Sequence, residues 1–337
     1  MSIEATPIEA RDDTTPGETA TATSRAVVQT EYGGPEVLRV VHRPIPEPGP
    51  NEVRVRVTAA GLNPVDWKIA SRAEVAERFG ASLPTGFGND FAGVVDAVGE
   101  DVERWQPGDR VFGGARGRAV AEHVIVPADS KLLHGTPDDL PDAVAGSLTI
   151  AGRTADGALR SLGLAAGETL LVGGAAGGVG VLLVQLARLR GIRVIGTASP
   201  STFDFLRGLG AEPVAYGEGL ADRVRELAPD GIQAAADLHG TEVVTVAREL
   251  GVAPSRIGTI AANGAAVEAT ETGSIHAAPD ALERIAAAIV AGTVRVPIAA
   301  TFSLDEIREA VALQRDGHVH GKVVVIVSDG EDDGATA

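Results

Sequence analysis

The segment that most limits what this chain can fold into is Leu170-Leu171-Val172-Gly173-Gly174-Ala175-Ala176-Gly177-Gly178-Val179-Gly180. A short apolar run ends in a burst of glycines and leads into a strongly apolar stretch: Val181, Leu182, Leu183, Val184, Leu186, Ala187 and Leu189. That order predicts a buried strand, a tight turn and then a helix over 180–190. Such a turn presents backbone N–H groups and the positive end of the helix dipole to an anion, as in a dinucleotide pyrophosphate site. Ala175 stands where a G-x-G-x-x-G pattern has its first glycine. Gly177 lets the backbone approach the pyrophosphate, and Gly180 lets helix and strand approach each other. Ala175, Ala176, Gly177, Gly178 and Val179 are the expected cofactor-binding residues.

The alternation continues downstream. Strands are predicted over 169–172, 192–196, 213–216, 234–238 and 256–261, with a helix over 202–209. Apolar runs of this kind suit strands covered on both faces by crossover helices, so the segment reads as a doubly wound parallel sheet of Rossmann type. A helix over 279–291, a strand over 294–298, a helix over 303–313 capped by Ser303 with Glu306, and a strand over 322–327 complete the chain.

Cofactor choice falls at the end of the second strand, where an NAD site needs Asp or Glu for the ribose 2′-hydroxyl. Here the residues are Ile195-Gly196-Thr197-Ala198-Ser199-Pro200-Ser201-Thr202, and the first acid, Asp204, lies past the turn. Hydroxyls without a carboxylate favour NADPH, with Ser199 and Thr202 as contacts. The nearest cation, Arg207, falls inside the following helix. Tyr216, at the end of the third strand, is a candidate to pack near the adenosine or an ordinary strand-end tyrosine.

Before residue 142 the pattern is different. Strands are predicted over 26–29, 37–40, 52–57, 93–98, 110–112 and 122–126, with Val53, Val55 and Val57 on one face. Gly and Pro punctuation marks a compact, mainly β domain. With 337 residues, 44% of them hydrophobic, the chain is long enough for two packed domains.

The net charge is −17, and residues 1–24 and 329–337 hold eight of those charges. Both ends are polar and read as tails. The acidic balance makes nucleic acid and anionic membrane surfaces poor partners. No run reaches the ~18 apolar residues of a membrane span, and the start lacks signal-peptide features, which points to a cytoplasmic protein. The chain has no cysteine, which removes disulfides, thiolate nucleophiles and Cys-ligated zinc. The seven histidines are scattered; His318 and His320 alone are close, and they read as surface residues.

Several motifs together resemble the quinone oxidoreductase-like branch of the medium-chain dehydrogenase/reductases: Asn63-Pro64-Val65-Asp66-Trp67-Lys68, Gly88-Asn89-Asp90-Phe91-Ala92-Gly93 followed by Val98-Gly99, Gln106-Pro107-Gly108-Asp109-Arg110-Val111, Gly152-Arg153-Thr154-Ala155, the turn from Ala175 to Gly180, and Gly321-Lys322-Val323-Val324. The resemblance implies an α/β chain with a GroES-like catalytic domain, 25–145 and 298–328, around a Rossmann NADPH-binding domain, 146–297. It also implies homodimers.

In zinc-dependent relatives a Cys and a motif His hold the metal; here Asn89 takes the His position and no metal is expected. The implied activity is zinc-independent hydride delivery from NADPH to a quinone or an α,β-unsaturated carbonyl. An NADPH-binding accessory protein without turnover, or a secondary-metabolism tailoring enzyme acting on one enone, are the alternatives. The resemblance makes Asn63 and Thr154 the catalytic candidates. Asn63 would bond the cofactor ribose or the acceptor oxygen, or simply form a turn before Pro64. Thr154 would contact the nicotinamide, or cap a helix. Trp67 would stack on a flat acceptor or pack in the core. Asp66 and Asp90 read as structural, and Asp156, where relatives often carry an aromatic, implies a pocket that is more polar or simply different.

Overall fold

A computed structural model describes residues 22–262, 264–317 and 319–328. The sequence expectations for the two tails lie largely outside these residues, and so does His318.

The chain forms two compact units. The first runs to Gly135 and takes in Thr301–Gly317 and the residues from Val324 on; the second is Thr136–Ala300 with His318–Val323. The dividing lines differ from those expected. The border falls before residue 136 rather than at 145/146, and 318–323 joins the second unit.

The first unit starts with β1 (Thr23–Gln29), β2 (Arg39–Pro44) and β3 (Glu52–Leu62), then α1 (Pro64–Ser71) and α2 (Ala73–Arg78). It continues through β4 (Thr85–Gly86), β5 (Asp90–Val98), β6 (Arg110–Gly114), β7 (His123–Pro127) and β8 (Leu133–Gly135). Residues 23 and 24, expected in the tail, belong to β1, and the buried Ser24 hydroxyl lies 3.0 Å from His123 Nδ1.

Strand β3 shows how the sequence drives the layout. Val53, Val55 and Val57 are fully buried while Arg54 and Arg56 are not. From Val57 onward the strand is buried on both faces, so alternation gives way to a continuous buried run. Its antiparallel register with β5 pairs Val53 with Val98 and Val57 with Gly93, interrupted by bulges.

The second unit holds α3 (Asp142–Ala145), α4 (Thr149–Leu162), β9 (Thr169–Gly173), α5 (Gly180–Leu189), β10 (Arg193–Ala198), α6 (Phe203–Leu209) and β11 (Glu212–Ala215). It goes on through α7 (Leu220–Leu227), β12 (Ala234–Asp237), α8 (Glu242–Glu249), β13 (Ile257–Thr259), α9 (Gly264–Val267), β14 (Thr270–Glu271) and α10 (Ala281–Val290). The chain ends with β15 (Ile298–Ser303), α11 (Ile307–Asp316) and β16 (Lys322–Ile326).

The second unit's sheet has the strand order β11-β10-β9-β12-β13-β14, and its neighbouring strands all pair in parallel. Counted from β9, that is the 3-2-1-4-5-6 order of a dinucleotide-binding sheet, with its switch point between β9's two neighbours. Leu170, Leu171 and Val172 on β9 and 181–184 on α5 are fully buried, as their apolar runs require. Strands β15-β16-β3-β5-β6-β8 form a further sheet to which β7 adds through β3, and β2-β1-β4 form a smaller one.

Two strands are shifted from their expected places: instead of a strand over 37–40, a 3-10 turn at Pro35–Val37 precedes β2 at Arg39–Pro44. The expected strand over 294–298 is not a ladder; β15 begins at Ile298 instead. Val294 and Val296 are buried, which is why the alternation is there to read. Arg295 between them has both backbone groups taken by one side chain: its N–H donates to Gln185 Oε1 at 2.9 Å, and Gln185 Nε2 donates to its carbonyl at 2.8 Å. Pro297 then has no N–H to offer, so pairing starts after it.

Candidate functional site

In the first unit, β3 leads into α1 through Asn63. Asn63 is the N-cap, Pro64 is the first helical residue, and Asp66 at the third position completes a capping box. The start of β5 brings Asn89 and Asp90 alongside, and four buried polar side chains then satisfy one another. Asn63 N–H donates to Asp66 Oδ2 at 2.6 Å. Asn63 Nδ2 donates to Asp90 Oδ2 at 2.9 Å and to Gly61 O at 3.3 Å. Asn89 Nδ2 donates to the other oxygen of Asp66. Both N–H bonds of the Asn63 carboxamide are therefore engaged inside the protein. Trp67, on the next position of α1, carries a buried indole N–H with no partner among the described residues, and Lys68 Nζ lies 5.8 Å from its ring centroid.

In the second unit, the turn after β9 is held by its own backbone. Gly177 N–H donates to Gly174 O at 3.1 Å. A Cβ on Gly180 would sit 2.4 Å from Gly174 O and 2.5 Å from Ala175 O, so helix α5 meets the turn at a distance open only to glycine. Ala175 is buried, and its methyl lies 2.9 Å from where a Gly196 Cβ would be, against β10. Ala176, Gly177, Gly178 and Val179 are half-buried along the turn.

The segment at 320–322 lies on the same turn. Gly321 N–H donates to Ala176 O at 2.9 Å, Gly177 and Gly321 form a parallel bridge, and the stem of the buried Lys322 packs against Gly178. At the end of β10, Ser199 Oγ is 2.9 Å from both Ser201 Oγ and Thr202 Oγ1, and Thr202 Oγ1 is 3.1 Å from His320 Nε2. Spacing alone marks the three hydroxyls but not His320, which is remote in sequence. Tyr216 follows β11 and is 57% exposed.

Thr154 lies in the middle of α4, 8% exposed, and caps no helix end. Asp156 is 1% exposed. Its oxygens accept from Arg190 Nη2 at 2.7 Å, Arg284 Nη2 at 3.4 Å and Ala278 N–H at 2.9 Å. It ties helices together instead of making a pocket polar.

A further buried acid escaped the sequence reading. Asp237 ends β12 opposite Gly173 and is 2% exposed. Burial pushes its carboxyl above the ordinary aspartate range, against the opposing hydrogen bonds from Thr259 Oγ1 at 2.9 Å and His239 N–H. The next residue, Leu238, donates its N–H to Gly173 O at 3.1 Å, so this corner abuts the glycine turn. The signal in the sequence that points to it is an acid closing the apolar run 234–236.

Comparison with known proteins accords with both halves. Residues 49–138 match the alcohol dehydrogenase GroES-like domain, and residues 209–325 match the zinc-binding dehydrogenase family. The NADPH-dependent alkenal/one oxidoreductase of Arabidopsis thaliana chloroplasts is 31% identical over 318 residues, covering 89% of this chain and 79% of that protein. A quinone oxidoreductase of Pseudomonas aeruginosa is 40% identical over 200 residues, 58% of this chain and 60% of that protein's length. The solved structure of a quinone oxidoreductase from Coxiella burnetii superposes with a TM-score of 0.80 at 30% identity, covering 91% of this chain and all of that one.

The second family's name raises zinc, and the donor set does not suit it. The chain has no cysteine, Asn63 and Asn89 offer carboxamides, and Asp66 and Asp90 are spent on hydrogen bonds to them. The dinucleotide-type strand order, the glycine turn and the matches along both units place the chain in the medium-chain dehydrogenase/reductase superfamily, as an oxidoreductase of its quinone oxidoreductase-like branch.

Proposed function

We propose that the protein is an NADPH-dependent, zinc-independent reductase of quinones or α,β-unsaturated carbonyls. The observation that carries the reading is the end of β10, where Ser199, Ser201 and Thr202 form a hydroxyl cluster at the position that decides between NADH and NADPH. A carboxylate there would repel a 2′-phosphate; hydroxyls donate to one. The named activity of the Arabidopsis relative supports the same cofactor.

When bound, NADPH supplies the hydride. The chain's own part is to hold and orient. Backbone groups at Ala175–Val179 take the pyrophosphate, with Gly180 allowing α5 to start against the turn. Ser199 and Thr202 take the adenosine end, and Tyr216 covers it. Thr154 contacts the nicotinamide. Asn63 keeps its place through Asp66 and Asp90, so its engaged carboxamide is a rigid wall of the acceptor site. Trp67 borders the acceptor, and its unpartnered N–H favours closure by a polar acceptor group.

With no Lewis acid, the acceptor must be electrophilic already, and positioning supplies most of the rate. The proton that completes reduction comes from water or a ribose hydroxyl. The reading includes a homodimer formed through edge strands of the parallel sheet, and a cytoplasmic setting; no helix among the described residues is long and apolar enough to cross a membrane.

The test follows loss of reduced-nicotinamide absorbance with a panel of quinones and enones. Turnover of at least one class is expected. NADPH binding without turnover across the panel would overturn the reductase reading in favour of an accessory role.

A further inference from the structure

We propose that His320 is a specificity-determining residue for NADPH: it completes the seat of the adenosine 2′-phosphate that Ser199, Ser201 and Thr202 begin. The proposal rests on the NADPH reading above and adds the group that three hydroxyls alone do not supply.

A phosphate monoester carries close to two negative charges at neutral pH and three acceptor oxygens. Such a group is normally met by Arg or Lys. None stands beside the cluster in sequence, and in the structure the nearest candidate is paired with a neighbouring acid. Arg207 Nη1 donates to Asp204 at 2.7 Å, its guanidinium lies 5.7 Å from the Phe203 ring centroid, and it lines a separate cavity of about 290 Å³ with Arg188 and Arg295.

His320 is placed where Arg207 is not. Its Nε2 is 3.1 Å from Thr202 Oγ1, extending the run Ser201–Ser199–Thr202 by one imidazole. The ring stacks on Phe205, with centroids 5.4 Å apart and planes 29° apart, so its orientation is set by packing. The residue is exposed, which leaves it open to an incoming anion. An imidazole bears an N–H donor in every protonation state it adopts in water near neutral pH.

The backbone delivers it there. Gly321 has φ +99°, and a Cβ at that position would stand 2.1 Å from Pro297 O. Only glycine fits. Its N–H is tied to Ala176 O on the glycine turn. The chain returning from α11 is thereby pinned beside the turn that would hold the pyrophosphate, with His320 one residue before the pin. The sequence separation of 118 residues from Thr202 is spanned by the fold alone.

The experiment measures, by calorimetry on the full chain, the affinities for 2′,5′-ADP, 5′-AMP, NADPH and NADH, in the wild type and in His320→Ala, His320→Gln and Thr202→Val. The wild type should prefer 2′,5′-ADP to 5′-AMP and NADPH to NADH. His320→Ala should weaken 2′,5′-ADP and NADPH by about ten- to a hundred-fold, the usual effect of losing a hydrogen bond to a charged group, and leave 5′-AMP and NADH unchanged. His320→Gln, which keeps an N–H donor, should recover part of that loss, and Thr202→Val should fall between the two.

If His320→Ala leaves the 2′,5′-ADP preference intact, or weakens 5′-AMP equally, the proposal is wrong even though the NADPH reading stands. If the wild type itself shows no preference for the 2′-phosphate, the NADPH reading fails first. Melting temperatures of each variant separate misfolding from lost recognition, and Gln at this exposed position provides a second variant if Ala perturbs the return segment.

Discussion

Two clusters of polar side chains invite comparison. In the first unit, Asn63, Asp66, Asn89 and Asp90 are buried and hydrogen-bonded to one another, with two carboxylates receiving the carboxamide and backbone donors. In the second unit, Ser201, Ser199, Thr202 and His320 form a run in which Thr202 is buried, Ser199 is half-buried, and the two ends, Ser201 and His320, are exposed. The first cluster spends its donors internally. The second keeps rotatable hydroxyls and an imidazole that can re-aim at an incoming ligand. A closed net positions a wall and holds a fold together; an open one recognises. Burial decides between them, because an unpaired polar group is costly only where water cannot replace its partner.

The largest effect should come from breaking the closed net. Asp66→Ala strips the acceptor from the Asn63 N–H and from Asn89 Nδ2 at once. Leaving such buried donors unpaired should cost about 3–5 kcal/mol of stability, read by urea unfolding. The ratio of NADPH to NADH affinity in the protein that remains folded should not move. A changed ratio would mean that the two clusters are not independent.

The open cluster should respond the other way. Ser199→Asp places a carboxylate where the 2′-phosphate is expected. NADPH affinity should fall by roughly a hundred-fold and NADH should become the preferred cofactor, with unfolding little changed. Equal affinities before and after would remove this position from the cofactor site.

The smallest expected effect is a change in slope. Burial raises the Asp237 carboxyl, so the folded chain binds that proton more tightly than the unfolded one. Between the ordinary aspartate value of about 3.9 and the raised one, this group makes stability increase as pH falls, and its penalty is complete at higher pH. Asp237→Asn should remove that contribution while keeping an acceptor for Thr259. Thermal unfolding across an acidic pH series reads the difference, and an unchanged slope would assign the buried charge no such role.

Local signals carried far in this chain. Strand β9, its glycine turn and α5 are legible because a buried strand, a turn without side chains and an apolar helix each leave a pattern within a few residues. The Ser303–Glu306 capping box is legible for the same reason, and the structure shows it. Where local pattern and tertiary contact compete, contact wins. The run Val294-Arg295-Val296 has strand alternation, yet a single glutamine side chain takes the Arg295 backbone. Asp156 reads as a polar pocket residue by position, yet Arg190 and Arg284 reach it from 34 and 128 residues away. Helix α1 starts with a capping box whose residues, 63–66, are adjacent in sequence.

Composition and short-range order by themselves determined the doubly wound sheet, the glycine turn, the missing carboxylate after the second strand and the absence of any cysteine ligand. Each is a property of neighbouring residues or of the whole inventory. Only the tertiary structure decided that Asn63 is locked between Asp66 and Asp90, that Asp237 is buried beside the turn, that Arg207 is engaged by Asp204, and that His320 stands at Thr202. These depend on which side chains meet once strands and helices close on one another. Hydrogen bonds and burial act over a few ångströms in space, whatever the distance along the chain.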